Sequence, residues 1–117
     1  MKIPPASATA VAQFEALAPE TPGLHRRQMF GQPAAFLNGH MFFGVFGDRL
    51  FLRLSVADRL EAFKRGKMTT FEPMPGRPMK EYVVLPDRLL KDAPATRAWI
   101  ERSMGYVRGL PPKKAGR

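Results

Sequence analysis

Arginine and lysine beside an exposed aromatic ring can bind polyanions and acidic partners. The cation neutralises a phosphate or carboxylate, and the flat ring offers a stacking surface. This sequence places Arg26 and Arg27 ahead of a stretch rich in aromatic residues. Arg49, Phe51 and Arg53 stand at alternate positions within that stretch, and Arg77 and Lys80 follow a proline-rich segment. Alternation in a strand sends Arg49, Phe51 and Arg53 to one face, opposite Leu50, Leu52 and Leu54. These seven residues form the candidate macromolecule-binding surface. The competing interpretation is structural, since positive residues alternating along a strand also mark a solvated or protected face.

The overall charge of +9 on 117 residues would suit a polyanionic partner, but its distribution matters. Arg108, Lys113, Lys114 and Arg117 contribute four positive charges and residues 108–117 hold no acid, so the remaining 107 residues carry 9 − 4 = +5. Residues 108–117, rich in Pro, Gly and Lys from Gly109 onward, are expected to be a flexible, solvated basic tail. A single domain over residues 1–107 is expected ahead of it.

No enzymatic constellation stands out. The chain has no cysteine, which excludes disulfides, thiolate metal sites and cysteine nucleophiles. His25 and His40 are separated by an expected strand and have no second ligand nearby in sequence, so no metal site is expected. Asp48 falls in a turn and Asp58 at a helix start, while Glu15, Glu61 and Glu101 occupy outward helix positions. Gly39, Gly44 and Gly47 lie in or beside hairpin turns rather than in a phosphate-cradling loop. The expectation is therefore a non-enzyme with no cofactor. The longest apolar runs are far shorter than the roughly 20 residues that span a bilayer, and no signal-peptide pattern opens the chain. A cytoplasmic location without membrane association is expected.

The elements that would carry these residues can be read from periodicity. Ala10, Val11, Phe14, Leu17 and Ala18 share one helix face, with Ser7 as cap and Pro19 as terminator. Residues 28–54 suggest a three-stranded meander. Its turns are Asn38-Gly39, which supplies the positive φ angles of a tight hairpin, and Gly47-Asp48. Pro33 requires the strand from Met29 to Leu37 to be an edge or to bulge. Ser55 opens a second helix with Val56, Leu60 and Phe63 as its buried stripe and Gly66 beyond its end. Met68–Glu72 and Met79–Leu85 are the next strands, joined by a rigid turn over residues 73–78. Pro86–Leu90 forms a short helical turn. A last helix with Pro94 in its first turn places Ala95, Trp99, Arg102, Ser103 and Tyr106 on one face. The order expected is αβββαββα, a two-layer α+β domain with a five-stranded antiparallel sheet.

Several ordered segments resemble one family. Arg27-Gln28-Met29-Phe30-Gly31, Phe36-Leu37-Asn38-Gly39-His40-Met41-Phe42 and Gly47-Asp48-Arg49-Leu50-Phe51-Leu52-Arg53 are similar to the N-terminal domain of the TfoX/Sxy family. Phe71 to Met79, Tyr82 to Pro86 and Trp99 resemble the second half of that domain, so the likeness covers roughly residues 25–110. The resemblance implies a secretion-chaperone-like α+β fold and a role linked to regulation of natural competence and DNA-uptake genes. It implies no catalysis. The family's best-known regulators carry a second, C-terminal domain, which is not among the segments matched here.

Three functional classes follow. The leading expectation is a regulatory or adaptor domain that binds another protein through a sheet face or edge, with homodimerisation through an edge as one form of it. The second is a DNA- or RNA-binding protein using the basic face and tail. The third is a small-molecule binder or enzyme with a pocket that no motif announces.

Overall fold

Tight turns interrupt a chain otherwise rich in β-forming residues, so strands that follow one another in sequence pair with one another in space. The computed structural model describes residues 3–64 and 68–113. The elements are α1 (Ala8–Leu17), β1 (Leu24–Met29), β2 (Gln32–Leu37), β3 (His40–Phe46), β4 (Arg49–Arg53), α2 (Val56–Lys64), β5 (Thr69–Met74), β6 (Arg77–Leu85), α3 (Asp87–Leu90) and α4 (Ala93–Arg108). The fold is α+β with one antiparallel sheet, as expected, but the sheet has six strands rather than five, ordered β1-β2-β3-β4-β6-β5. The element order is αββββαββαα.

The extra strand is β1, most of which lies ahead of the meander expected to begin at residue 28. Its residues, Leu-His-Arg-Arg-Gln-Met, show no apolar alternation because the strand lies at the sheet edge, with its four central residues exposed. It ends at Phe30-Gly31, where both residues have positive φ (58° and 74°), the backbone demanded by a two-residue hairpin turn of the I′ class. The expected single strand from Met29 to Leu37 is therefore a turn followed by β2, an interior strand rather than an edge. Pro33 is tolerated there because it lies opposite Gln28, and the β2–β3 register begins only at Ala34.

Helices α1 and α4 cover one face of the sheet. Ser7 caps α1 by accepting from the Ala10 amide at 3.0 Å, and Asp92 caps α4 by accepting from the Ala95 amide at 3.0 Å. Phe14 and Leu17 of α1 pack with Ile100, Met104 and Val107 of α4 onto Leu50, Leu52, Val83 and Leu85. The buried face of α4 comprises Thr96, Ile100, Ser103, Met104 and Val107. That face is rotated from the expected one, and Trp99 instead lies half-buried under the Arg102 guanidinium, 4.5 Å from the ring centre. A bulge brings both Phe42 and Phe43 into this core. The register passes from Ala35–Phe43 to Phe36–Met41, leaving Phe42 without an opposite residue.

The other face is not open to solvent, so the expected two-layer arrangement is incomplete. Ala34, Met41, Phe46, Phe51 and Phe71 form a second core, bordered by Phe30, Phe36, Met79 and Tyr82. The Phe71 ring on β5 stacks on Phe51 of β4 at 4.7 Å and meets Phe46 of β3 edge-on at 5.4 Å. In a flat sheet β5 and β3 would lie about 14 Å apart, three strand spacings. The sheet therefore curls until its two halves touch, aided by register shifts at Thr70/Phe71 and Phe71/Met74. Phe30 closes the second core from the other side, 5.4 Å edge-on to Phe46.

The expected buried stripe of α2 is also overturned. Ala62 is its buried residue, whereas Val56, Leu60 and Phe63 are 63%, 64% and 38% exposed. The curl explains this, because the two cores are filled by aromatic residues of the strands and by α1 and α4, and α2 touches the body mainly along β6. Its cap is as expected, with Ser55 Oγ accepting from the Asp58 amide at 3.2 Å. The expected C-terminal Gly66 lies outside the described residues.

Gly44 makes the curl sterically feasible. A Cβ there would lie 2.5 Å from the Phe51 ring and 3.1 Å from the Ala34 methyl. Gly44→Ala is expected to cost about 1–3 kcal/mol in urea unfolding through overpacking. Gly105→Ala, in an exposed turn of α4 with nothing within 4 Å of the new methyl, is expected to be neutral or stabilising by up to about 1 kcal/mol. Equal losses at the two sites would contradict this account. A second test concerns Ser103, whose buried hydroxyl has no hydrogen-bond partner. Ser103→Ala is expected to raise the unfolding midpoint, since burying a hydroxyl without a partner opposes folding.

Candidate functional site

The seven basic and aromatic residues singled out in the sequence do not form one surface. Successive residues of β1 point to opposite faces, which separates Arg26 from Arg27. Arg26 lies 5.8 Å over the Phe14 ring and pairs with Glu15 of α1, while Arg27 lies 5.5 Å over Phe36 of the second core. Arg49 and Arg77 are exposed where β4 and β6 begin. Phe51 is 1% exposed and cannot present a ring to a partner. Alternation put it on the expected face, and the curl of β5 then covered that face.

Arg53 and Lys80 do converge, at an open cleft of about 510 Å³ lined by His40, Arg53, Met79, Lys80, Glu81, Tyr82 and Lys113. Arg53 is its anchor. The guanidinium meets Glu81 Oε1 through Nε and Nη2, each at 2.6 Å, and a third nitrogen lies 3.4 Å from His40 Nδ1. It also sits 5.7 Å from the Tyr82 ring centre and 5.6 Å from that of Tyr106. Such an ion pair, with the planar cation beside two aromatic rings, restricts the rotamers of a side chain that is only 18% exposed. His40 is oriented from its other nitrogen. Nε2 lies 2.8 Å from the Pro111 carbonyl, which can only accept, so Nε2 carries the hydrogen and Nδ1 of the neutral ring is the acceptor facing Arg53.

The C-terminal segment completes the cleft. Arg108 belongs to the last turn of α4, where Nη2 lies 3.3 Å from Thr21 Oγ1, so the boundary expected after residue 107 falls within the helix. Beyond it, Asn38 Nδ2 donates to the carbonyls of Val107 (3.2 Å) and Leu110 (2.9 Å), and the Lys113 amide donates to Asn38 O at 3.1 Å. Asn38 thereby ties the end of α4 and the segment after it to the β2–β3 turn. Gly39 permits this close approach, since a Cβ there would collide with the Lys113 carbonyl. Residues 109–113 thus run along the β2–β3 turn. Lys114 and Arg117 lie outside the described residues.

Sequence reasoning missed His40, Glu81 and Tyr82 as neighbours of Arg53. The Arg53–Tyr82 register is a long-range pairing of β4 with β6, with α2 and β5 between them in the chain, and no local signal reports it. Among the described residues no group of three or more His, Cys, Asp or Glu side chains could hold a metal ion. Among them, too, no helix is long and apolar enough to cross a membrane.

An antiparallel sheet with α1 and α4 on one face defines the chain as a small α+β domain. It belongs to the TfoX N-terminal domain family, whose model matches residues 15–106. That span runs from the last turn of α1 almost to the end of α4 and includes β1 to β6. No curated protein matches the chain.

Burial raises the Tyr82 phenol above the ordinary 10.0, against the opposing charge of Arg53, and its hydroxyl donates to Met41 O at 2.8 Å. With the folded value above the unfolded one, the tyrosine's stabilising contribution is complete below pH 10.0 and is lost as pH rises from there through the folded value. In Tyr106→Phe, where Tyr82 is the remaining tyrosine, ultraviolet titration is expected to show ionisation above 10.0. Tyr82→Phe is expected to lose about 0.5–1.5 kcal/mol near neutral pH and to abolish this part of the alkaline destabilisation. Ionisation at or below the ordinary value would refute the assignment.

Proposed function

We propose that this domain is a non-catalytic regulatory or adaptor module of the TfoX/Sxy type that binds a partner protein through α2. The observation that carries the proposal is the exposed stripe Val56–Leu60–Phe63, three large apolar side chains at i, i+4 and i+7 on one helix face. Apolar side chains at this spacing are the anchors of helix-in-groove and helix-on-helix recognition. The neighbouring charges favour a partner of definite chemistry. Asp58 and Glu61 meet Arg102 of α4 at 3.3 and 3.0 Å, and at 100° per residue Arg59 and Lys64 flank the stripe on its two sides. An amphipathic helix with an apolar face and acidic flanks fits this surface. The family's link to competence and transcription regulation supports a regulatory role in the cytoplasm, with the partner transmitting the signal. The burial of Phe51 removes the aromatic platform on which a nucleic-acid function through the sheet face would rest.

A photo-crosslinking amino acid at position 60, used in the native host, would identify the partner, and the purified pair would then be titrated directly. Leu60→Asp is expected to weaken the complex at least about ten-fold while changing the unfolding free energy by less than about 1 kcal/mol, because the site is exposed. An unchanged affinity would refute the α2 surface. Failure of the captured protein to bind in purified form would refute the adaptor function, and so would salt-sensitive binding of labelled DNA or RNA that Leu60→Asp leaves intact.

A further inference from the structure

Three cations reach the Arg53 cleft from separate parts of the chain: Arg53 from β4, Lys80 from β6 and Lys113 from the docked C-terminal segment. Among the described residues of the lining Glu81 is the one carboxylate, so three positive charges there stand against one negative. We infer that this cleft is a binding site for a small phosphorylated molecule, with Arg53 as the fixed donor and the exposed Lys80 and Lys113 as counter-charges.

Three features support a built site over a chance accumulation of charge. Arg53 is held in place by Glu81 and lies 5.7 and 5.6 Å from two tyrosine ring centres, so binding need not immobilise a long free side chain. Glu81 takes Nε and one N–H of Nη2, and one N–H of Nη1 faces His40, so the donors left for phosphate oxygens are the remaining N–H groups along the Nη1–Nη2 edge. Lys113 is brought in by specific backbone contacts rather than by a loose tail. Its amide donates to Asn38 O, the preceding residues accept from Asn38 Nδ2 and contact His40 Nε2, and Gly39 leaves the space the segment fills.

Size and lining select the class of ligand. The cleft is open to solvent, and its volume of about 510 Å³ gives room for a small molecule held against its wall rather than enclosed. Met79 and the Tyr82 ring provide an apolar wall beside the cations, suited to the organic part of a phosphate ester. A nucleic-acid strand would need a longer basic track with stacking platforms. Arg26 is instead turned onto Glu15 and Arg27 onto Phe36, and Phe51 is buried.

The test is a nuclear magnetic resonance titration of the full chain with inorganic pyrophosphate, chloride being adjusted to hold ionic strength constant. Saturable shifts are expected at the Arg53 side chain and at the backbone of His40 and Lys113, with a dissociation constant of about 1 mM or below. The double substitution Lys80→Gln, Lys113→Gln is expected to weaken binding about ten-fold or more. Both side chains are surface groups, so this variant should keep its unfolding midpoint. Arg53→Lys, which keeps the charge and loses the fork, should also weaken binding, and Leu60→Asp should leave it unchanged, which separates this site from the α2 surface. Shifts that stay linear in pyrophosphate, that spread equally over Arg27, Arg49 and Arg77, or that survive the double substitution would overturn the proposal. A single-stranded oligonucleotide that displaced pyrophosphate and bound about a hundred-fold more tightly would also overturn it, in favour of a nucleic-acid site.

Discussion

The Phe51 ring lies across a position on the neighbouring strand that has no side chain, and the shape of the sheet depends on this contact. Gly44 stands opposite Phe51 in the β3–β4 register, and its missing Cβ is the space the ring occupies. With Phe51 laid down there, Phe71 can stack on it from β5, and Phe46 and Phe30 close the cluster edge-on. Aromatic pairs in stacked and edge-to-face geometry add to simple burial. A sheet whose second face would otherwise need another layer instead folds that face inward on itself. This accounts for six strands and two principal helices forming two cores.

The second core has a consequence at the surface. Once strand aromatics fill it and α1 and α4 fill the first, α2 has little apolar surface left to cover. Its stripe stays outside, and Ala62, the small residue, makes the close contact with the body. An exposed apolar row beside the Arg102 ion pairs and flanked by Arg59 and Lys64 is therefore a product of the core's composition, and the adaptor role proposed for this domain rests on it.

Polar anchors bind the chain ends to the same frame. Gln32 is 3% exposed and is bonded at both ends of its amide: its nitrogen donates to Pro4 O at 2.8 Å and its oxygen accepts from the Gly47 amide at 2.7 Å. The N-terminal segment is thus tied to the β3–β4 turn, where the Ser7 amide also donates to Gly47 O. Asn38 does the equivalent for the C-terminal segment at the β2–β3 turn. Buried or half-buried amides of this kind must find partners, so each tie specifies one position of a segment that would otherwise have several. The tie at Asn38 brings Lys113 to Arg53.

The sequence alone determined those features whose causes are local. The cap of α1 at Ser7, the cap of α2 at Ser55, the Asn38-Gly39 turn, the alternation of β4 and the α+β antiparallel class each follow from a residue and its near neighbours. Family membership was legible too, in ordered motifs from Arg27 to Trp99. What only the tertiary structure decided depends on distant parts of the chain. The polar β1 is a strand because β2 offers a partner edge. Phe51 is buried because β5, some twenty residues later, curls over it. The α2 stripe is exposed because other residues reached the cores first. Arg53 acquires Tyr82, His40 and Lys113 through strand order and a docked terminus. Periodicity states which side of an element a residue occupies, but whether that side meets solvent or another element is set by packing between segments far apart in sequence.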